Sequence, residues 1–116
     1  MIVDAKTRQV EYFITEDGRC PFIEWHKNLK DKKIAAKVMI RIERVKQGNF
    51  GFCNSIGKGL SELKMDFGPG YRVYFGQVAN KIVIILCAGD KKSQSKDIIL
   101  AKKFWDDFNR RIHVRE

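Results

Sequence analysis

The spacing of apolar residues predicts a strand and then a short helix at the start of the chain. Residues 10–15 (VEYFIT) are rich in β-forming side chains and run into a Glu-Asp-Gly turn, a pattern typical of a strand that ends there. After Pro21, which suits the first turn of a helix, apolar side chains recur at Phe22, Trp25 and Leu29. Because steps of three and four residues place side chains on one helix face, this spacing predicts a short amphipathic helix.

A second, longer helix is predicted to start after Asp31, whose carboxylate can cap it, and to stop at Gly48. Its apolar stripe consists of Ile34, Val38, Ile42 and Val45. Three glycines fall within residues 49–59, and this stretch is predicted to be a loop.

The apolar period changes to two at Leu60, which predicts strands. In the first strand, Leu63, Met65 and Phe67 alternate with Glu62, Lys64 and Asp66. A Gly-Pro-Gly turn leads into a second strand, residues 71–78. Its inward positions are Val73 and Phe75, and its outward positions are Arg72 and Tyr74. Residues 82–88 are apolar on both faces, which suits a strand near the middle of a sheet.

The last predicted element is a helix that Ser93 or Ser95 can cap. Its apolar stripe consists of Ile98, Ala101, Trp105, Phe108 and Ile112. Residues 110–116 are mostly polar and are expected to fray. The order β-α-α-β-β-β-α predicts one α+β domain over residues 1–116, an antiparallel sheet packed by helices.

The charge balance points to a partner. Lys and Arg number 23 against 14 Asp and Glu, which gives a formal net charge of +9 in 116 residues. So large a surplus in a small domain favours a polyanion such as nucleic acid, or an acidic protein. Hydrophobic residues make up 44% of the chain, enough for a core, and this excludes a wholly disordered protein.

Other function classes lack their residues. The three cysteines, Cys20, Cys53 and Cys87, form no CxxC pair and, with two isolated histidines, no metal set. The chain also has neither the GxSxG turn of serine hydrolases nor the phosphate-binding GxxxxGK[ST] loop. Neither a metal nor a cofactor is therefore expected. The longest apolar run, residues 82–88, is too short to cross a bilayer. Residues 1–10 lack the apolar core of a signal peptide, and a cytoplasmic protein without membrane contact is expected.

Basic residues of the predicted strands converge on one face. Lys64 and Arg72 lie on neighbouring strands and point away from the core, so their side chains can approach each other. Tyr74 shares this face, and Lys91 and Lys92 follow the next strand in a glycine-containing loop. Such cations bind phosphodiesters and an aromatic ring stacks on a base. Basic side chains on an open sheet face are, however, also commonly just solvated.

Two blocks of sequence resemble a known family. GLSELKMDFGPGYRVYFGQ (residues 59–77) and AGDKKSQSKDIILAKKFWDDF (residues 88–108) are together similar to the phage-derived, HigB-type addiction module killer proteins of the RelE/ParE toxin superfamily. PFIEWHKNL (residues 21–29) resembles the early helix of this family, and the likeness covers residues 9–108. The resemblance implies a compact RelE-like fold and a toxin that cleaves mRNA, commonly in the ribosomal A site. It also implies a cognate antitoxin, often a helix-turn-helix protein of HigA type, that represses the operon together with the toxin.

The resemblance implies roles for single residues as well. Arg72 matches the arginine of the Gly-Tyr-Arg motif, which is expected to contact the scissile phosphate, and Lys64 matches a basic position on the preceding strand. Lys91 and Lys92 match the basic loop after the last strand. The residues expected to bind RNA are Tyr71, Tyr74, Lys64 and Arg72.

The chain also departs from the RelE pattern at two places. Glu62 stands where RelE carries a second basic residue. Asp97 and Ile98 stand where RelE has a tyrosine near the start of the last helix. These differences concern the mechanism of cleavage more than the fold.

The implied reaction is attack of the RNA 2′-OH on the adjacent phosphate, which leaves a 2′,3′-cyclic phosphate and a 5′-OH. Arg72 and Lys64 would stabilise the developing negative charge, and Lys91 or Lys92 would hold the backbone or protonate the leaving oxygen. Because Arg72 stays protonated, the general base is either Glu62 or a lysine. Two alternative functions stay open, a ParE-like poison of DNA gyrase and a non-catalytic module that binds RNA or DNA.

Overall fold

The computed structural model describes residues 7–115, and this part of the chain forms three helices and five strands. They are β1 (Gln9–Tyr12), α1 (Pro21–Lys27), α2 (Lys32–Lys46), β2 (Cys53–Gly57), β3 (Leu60–Met65), β4 (Tyr71–Val78), β5 (Ile82–Asp90) and α3 (Gln94–Arg115). The predicted α+β class is confirmed, with one strand more than the sequence pattern indicated.

The strands form a single mixed sheet in the order β1-β5-β4-β3-β2. β5 pairs antiparallel with β4 on one side, whereas β1 runs parallel to β5 on the other, with Gln9 beside Ile82. The expectation of a purely antiparallel sheet is therefore wrong at this edge. Parallel neighbours need a long crossover, and here everything between β1 and β5 serves as that connection.

Strand β2 lies inside residues 49–59, where the glycines led to the prediction of a loop. It pairs antiparallel with β3 and forms the other edge of the sheet. The turn between the two strands passes through Gly57, Lys58 and Gly59, whose φ angles are 90°, 57° and 82°. Glycine adopts such angles at little cost. These two glycines therefore build a tight hairpin turn, and the loop prediction is wrong for residues 53–57.

Helices cover both faces of the sheet. α1 and α2 pack on one face, around a core of Phe22, Val38, Ile42, Val45, Leu63, Met65, Val73, Phe75, Val83, Ile85 and Ala88. α3 packs on the other face, around Phe13, Leu60, Tyr74, Ile84, Leu86, Cys87, Ala101 and Trp105. The outward face of β3 and β4 is thus covered over most of its length, contrary to the expectation of an open face. The physical reason is that the apolar stripe of α3 is buried against that same face.

Helix α3 approaches the sheet closely at a glycine. A Cβ added at Gly76 would lie 2.5 Å from the ring of Trp105, so a larger residue could not be accommodated without displacing the ring. Trp105 Nε1 donates a hydrogen bond to the Lys58 carbonyl at 3.1 Å. The predicted stripe of α3 is confirmed. The helix continues through Arg115, so the fraying expected over 110–116 is not found within the described residues; residues 1–6 and 116 lie outside them.

The predicted helix starts are confirmed more closely than the ends. Asp31 Oδ1 accepts hydrogen bonds from the backbone N–H groups of Lys33 (2.9 Å) and Ile34 (3.4 Å), as expected of a cap. α3 begins directly after Ser93, one of its two predicted caps. β1 and α1 end two or three residues earlier than predicted.

Within residues 7–115, none of the helices combines the length and apolar character needed to cross a bilayer.

Candidate functional site

Three of the predicted basic residues share one pocket. Lys64 and Arg72 are directly opposite each other on β3 and β4, and Lys91 follows the end of β5. Together with the turn at residues 68–70 they line a cavity of about 260 Å³, hereafter the cationic pocket. Lys91 N donates to the Gly70 carbonyl at 2.9 Å, which fixes the β5 end against the turn. The predicted convergence of these three cations is confirmed. Lys92 is exposed on the same loop but does not line the pocket.

A buried carboxylate lies beneath the cations. Glu62 is only 3% exposed, so its prediction as an outward, accessible residue is wrong: α3 covers it. Its carboxylate lies 3.7 Å from Lys64 Nζ and 3.8 Å from Arg72 Nε. Gln94 Nε2, in the first turn of α3, donates to both of its oxygens, at 3.1 and 3.4 Å. Glu62 therefore orients the two cations and offers a substrate little access.

Lys64 is held from two further directions. With its amide oxygen facing the ammonium group, Asn54 accepts a hydrogen bond from Lys64 Nζ at 3.1 Å. Lys64 Nζ also lies 5.5 Å from the centroid of the Phe52 ring, within cation–π range. A lysine normally samples many rotamers, and these contacts together with Glu62 hold its charge at the mouth of the pocket.

Arg72 has a buried nitrogen that donates no hydrogen bond to the described residues. Its side chain is 13% exposed, and its buried Nε has no hydrogen-bond acceptor among the residues that the structure describes. The Glu62 oxygen at 3.8 Å is close enough for charge attraction but too far for a hydrogen bond. Glu62 therefore attracts the guanidinium without a hydrogen bond, and Arg72 at the same time lines the cationic pocket.

The two predicted RNA-binding tyrosines have different surroundings. Tyr74 is fully buried under α3, and its hydroxyl has no partner within residues 7–115. Burial first, and then the nearby Glu62 and Asp97 carboxylates, raise the pKa of Tyr74. Its prediction as an exposed stacking ring is wrong. Tyr71 is half-buried, lines the cationic pocket and contacts the edge of Trp25, with ring centroids 5.7 Å apart.

Sequence reasoning missed the residues that orient the cations. Gln94 lies in the KKSQ stretch of the second resembling block, but nothing in its spacing places it over Glu62. Asn54 and Phe52 lie in or next to β2, where the glycines suggested a loop. Only the pairing of β2 with β3, which sets Asn54 opposite Glu62, brings them to the site.

The start of α3 is packed tightly against β5. Ser93 Oγ donates to Asp97 Oδ2 at 2.5 Å, and a Cβ added at Gly89 would lie 1.9 Å from that oxygen. A side chain at position 89 would therefore displace the Asp97 carboxylate and disturb its hydrogen bond to Ser93. The hydrogen bond between Ser93 and Asp97 thus stabilises the start of α3.

Stability should fall at high pH because of Cys87. Burial foremost, and also the Asp97 carboxylate, raise the pKa of Cys87 from 9.0 to about 12. The folded thiol holds its proton more tightly than the unfolded one. The stability that the protonated thiol contributes is therefore complete below pH 9 and is lost as the pH rises through 12. We expect Cys87→Ala to lose less of its free energy of unfolding between pH 8 and pH 11 than the unchanged protein, by urea titration. Equal losses would contradict the assignment.

Comparison with known proteins finds a bacterial relative of similar sequence. No protein-family model matches the chain. A protein of Haemophilus influenzae, described as uncharacterized, is 46% identical over 81 residues, which cover 70% of this chain and 82% of that protein. An identity this high over most of both chains shows common descent, and this chain belongs to the same family as the Haemophilus influenzae protein.

Proposed function

We propose that this protein is the toxin of a type II toxin–antitoxin module and acts as a ribosome-dependent mRNA endoribonuclease that inhibits translation. The supporting observation is the cationic pocket, in which Lys64, Arg72 and Lys91 meet on a surface that is open to solvent. The resemblance of residues 59–77 and 88–108 to HigB-type toxins supports the same function, because the two blocks contain all three cations.

The chemistry follows from where the charges lie. The RNA 2′-OH attacks the adjacent phosphorus, and the bond to the 5′ oxygen breaks, leaving a 2′,3′-cyclic phosphate and a 5′-OH. Negative charge grows on the phosphoryl oxygens during this step, and Arg72 and Lys64, which lie 3.8 and 3.7 Å from the same Glu62 carboxylate, would stabilise it. Lys91, which lines the same pocket, would hold the backbone or give a proton to the leaving oxygen.

Glu62 acts as a positioning residue in this proposal. Its burial and its bonds to Gln94 keep it away from the 2′-OH, so another group of the site or solvent accepts the proton. The role of Glu62 is to hold Lys64 and Arg72 in a fixed arrangement before RNA binds. Cations that are already oriented lose little freedom on binding, and this preorganisation supplies much of the rate.

The partners follow from the same surface and from the family resemblance. The substrate is mRNA on the ribosome, in the cytoplasm, without metal or cofactor. A chain with net charge +9 would be neutralised by an antitoxin that supplies carboxylates, and the resemblance implies a HigA-type helix-turn-helix protein. A complex held mainly by charge would dissociate in high salt.

Controlled expression in growing bacteria tests this function. The expected result is growth arrest together with new, codon-phased 5′ ends on a reporter mRNA, mapped by primer extension in the same cells. Growth arrest with intact mRNA would overturn the nuclease and favour a ParE-like poison of DNA gyrase. Normal growth together with RNA binding by the purified protein would favour a non-catalytic module.

A further inference from the structure

A second basic groove continues from the cationic pocket along α2. It has a volume of about 590 Å³ and shares Lys64, Met65 and Asp66 with the pocket. Its other lining residues include Lys37, Ile40, Arg41, Arg44, Phe52 and Phe67. This surface, hereafter the α2 groove, is therefore a direct extension of the site at Lys64.

Phe52 is an exposed ring on a fixed backbone. Its side chain is 57% exposed, so the face of the ring is accessible to a ligand. Its carbonyl accepts hydrogen bonds from Lys64 N at 2.9 Å and from Arg41 Nη2 at 3.3 Å. Arg41 also donates to the carbonyls of Phe50 and Lys64, at 2.9 and 3.0 Å, and so ties the segment before β2 to β3. The ring thus stays beside Lys64 without being buried.

The α2 groove is lined mainly by basic residues, which favour a polyanionic ligand. Lys37, Arg41, Arg44 and Lys64 line it, against a single carboxylate, Asp66, among its lining residues in the described part of the chain. A cationic track with an aromatic platform is the arrangement that binds single-stranded nucleic acid, in which phosphates meet the cations and a base stacks on the ring.

We propose that Phe52 stacks on the base next to the phosphate bound at Lys64, and that the RNA strand continues from the cationic pocket along the α2 groove past Lys37 and Arg44. This inference rests on the proposed function and names the substrate path for it. Phe52 takes the stacking role that the sequence pattern assigned to the buried Tyr74. The platform stacks any base, so it governs affinity more than sequence preference.

Binding of a short, fully 2′-O-methylated RNA that contains one 2-aminopurine tests the proposal. The methylated strand cannot be cleaved through its 2′ oxygen, so binding is measured without reaction. At low salt, Phe52→Ala is expected to bind about 5- to 150-fold more weakly by fluorescence anisotropy, and the quenching of 2-aminopurine by stacking should be lost. Phe52→Trp should retain both affinity and quenching. Ile99→Ala, which removes an exposed apolar side chain from α3, is the matched control and should bind as the unchanged protein does.

Salt dependence tests the path of the strand. Lys37→Ala and Arg44→Ala are each expected to reduce the slope of log affinity against log salt by about 0.7, the value for one phosphate on a single strand. Unchanged slopes would overturn the path along α2.

Arg72→Ala in the same assay separates the two proposals. If the unchanged protein binds no RNA, the inference is overturned, whereas the proposed function is decided by the growth and primer-extension experiment on ribosomal mRNA. If Arg72→Ala weakens binding while Phe52→Ala binds with full affinity and full quenching, only the inference is overturned, and the groove is left to a protein partner.

Discussion

Arg72→Ala is expected to reduce RNA cleavage by about 100-fold or more and to abolish growth arrest, since removing one preorganised donor from a charge-stabilising site commonly has an effect of that size. Arg72 is more buried than Lys64 in the cationic pocket, with 13% of its side chain exposed against 27%, and Glu62 lies 3.8 Å from its Nε. The measurement is the appearance of mRNA 5′ ends by primer extension in cells that express the variant at the level of the unchanged protein.

Two further variants keep this prediction specific. Arg72→Lys retains the charge but loses the planar fork of donors, and we expect an intermediate loss. Lys103→Ala removes one exposed cation from α3, away from the pocket, and should leave cleavage unchanged. Circular dichroism of each variant distinguishes lost chemistry from lost fold. Full toxicity of a folded Arg72→Ala protein would end the nuclease proposal.

Glu62→Gln is expected to lower both stability and activity. The substitution preserves the shape of the side chain but removes the negative charge between two cations. Loss of one member of a buried ion pair costs about 3–5 kcal/mol, and because Lys64 and Arg72 keep some solvent contact we expect about 2 kcal/mol here. For a chain of this size that is a fall of about 10 °C in melting temperature. Cleavage by the remaining folded protein should fall about 10-fold, because the cations are no longer oriented.

The pH dependence of cleavage distinguishes positioning from proton transfer. If Glu62 only positions the cations, the rate of Glu62→Gln is lower at every pH and the profile keeps its shape. Loss of the acidic limb of the profile would instead make Glu62 the general base. Asp106→Asn, at an exposed carboxylate of α3, is the matched control, and its stability should change by less than about 0.5 kcal/mol.

The helices and the basic residues were predictable because each depends on local spacing. The stripe of α2 and its Asp31 cap follow from 3.6-residue periodicity and from the chemistry of one side chain. The approach of Lys64 and Arg72 follows from the alternation of two strands joined by a short turn, which fixes the register.

The burial of Glu62 and Tyr74 could not be predicted in the same way. Alternation places them on the same face as Lys64 and Arg72, but it does not say how far along the strands a helix covers that face. The first turn of α3 crosses the sheet at Gln94, over Glu62, and leaves only the end of the strands open. The pairing partners of β1 and β2 were unpredictable for a similar reason. The neighbours of a strand depend on the topology of the whole sheet, and the residues of the strand itself do not indicate them.

The strand order also governs when the cationic pocket can be assembled during synthesis of the chain. β1 leaves the ribosome first but has no partner until β5 follows, so the sheet closes through contacts of large sequence separation, which form slowly. α3 emerges last. A nascent chain that ends before α3 already carries Lys64, Arg72 and Lys91, yet it lacks Gln94 and the helix that buries Glu62. Folding order therefore delays assembly of the site, because the cations are synthesised before Gln94 and the helix that orients them through Glu62.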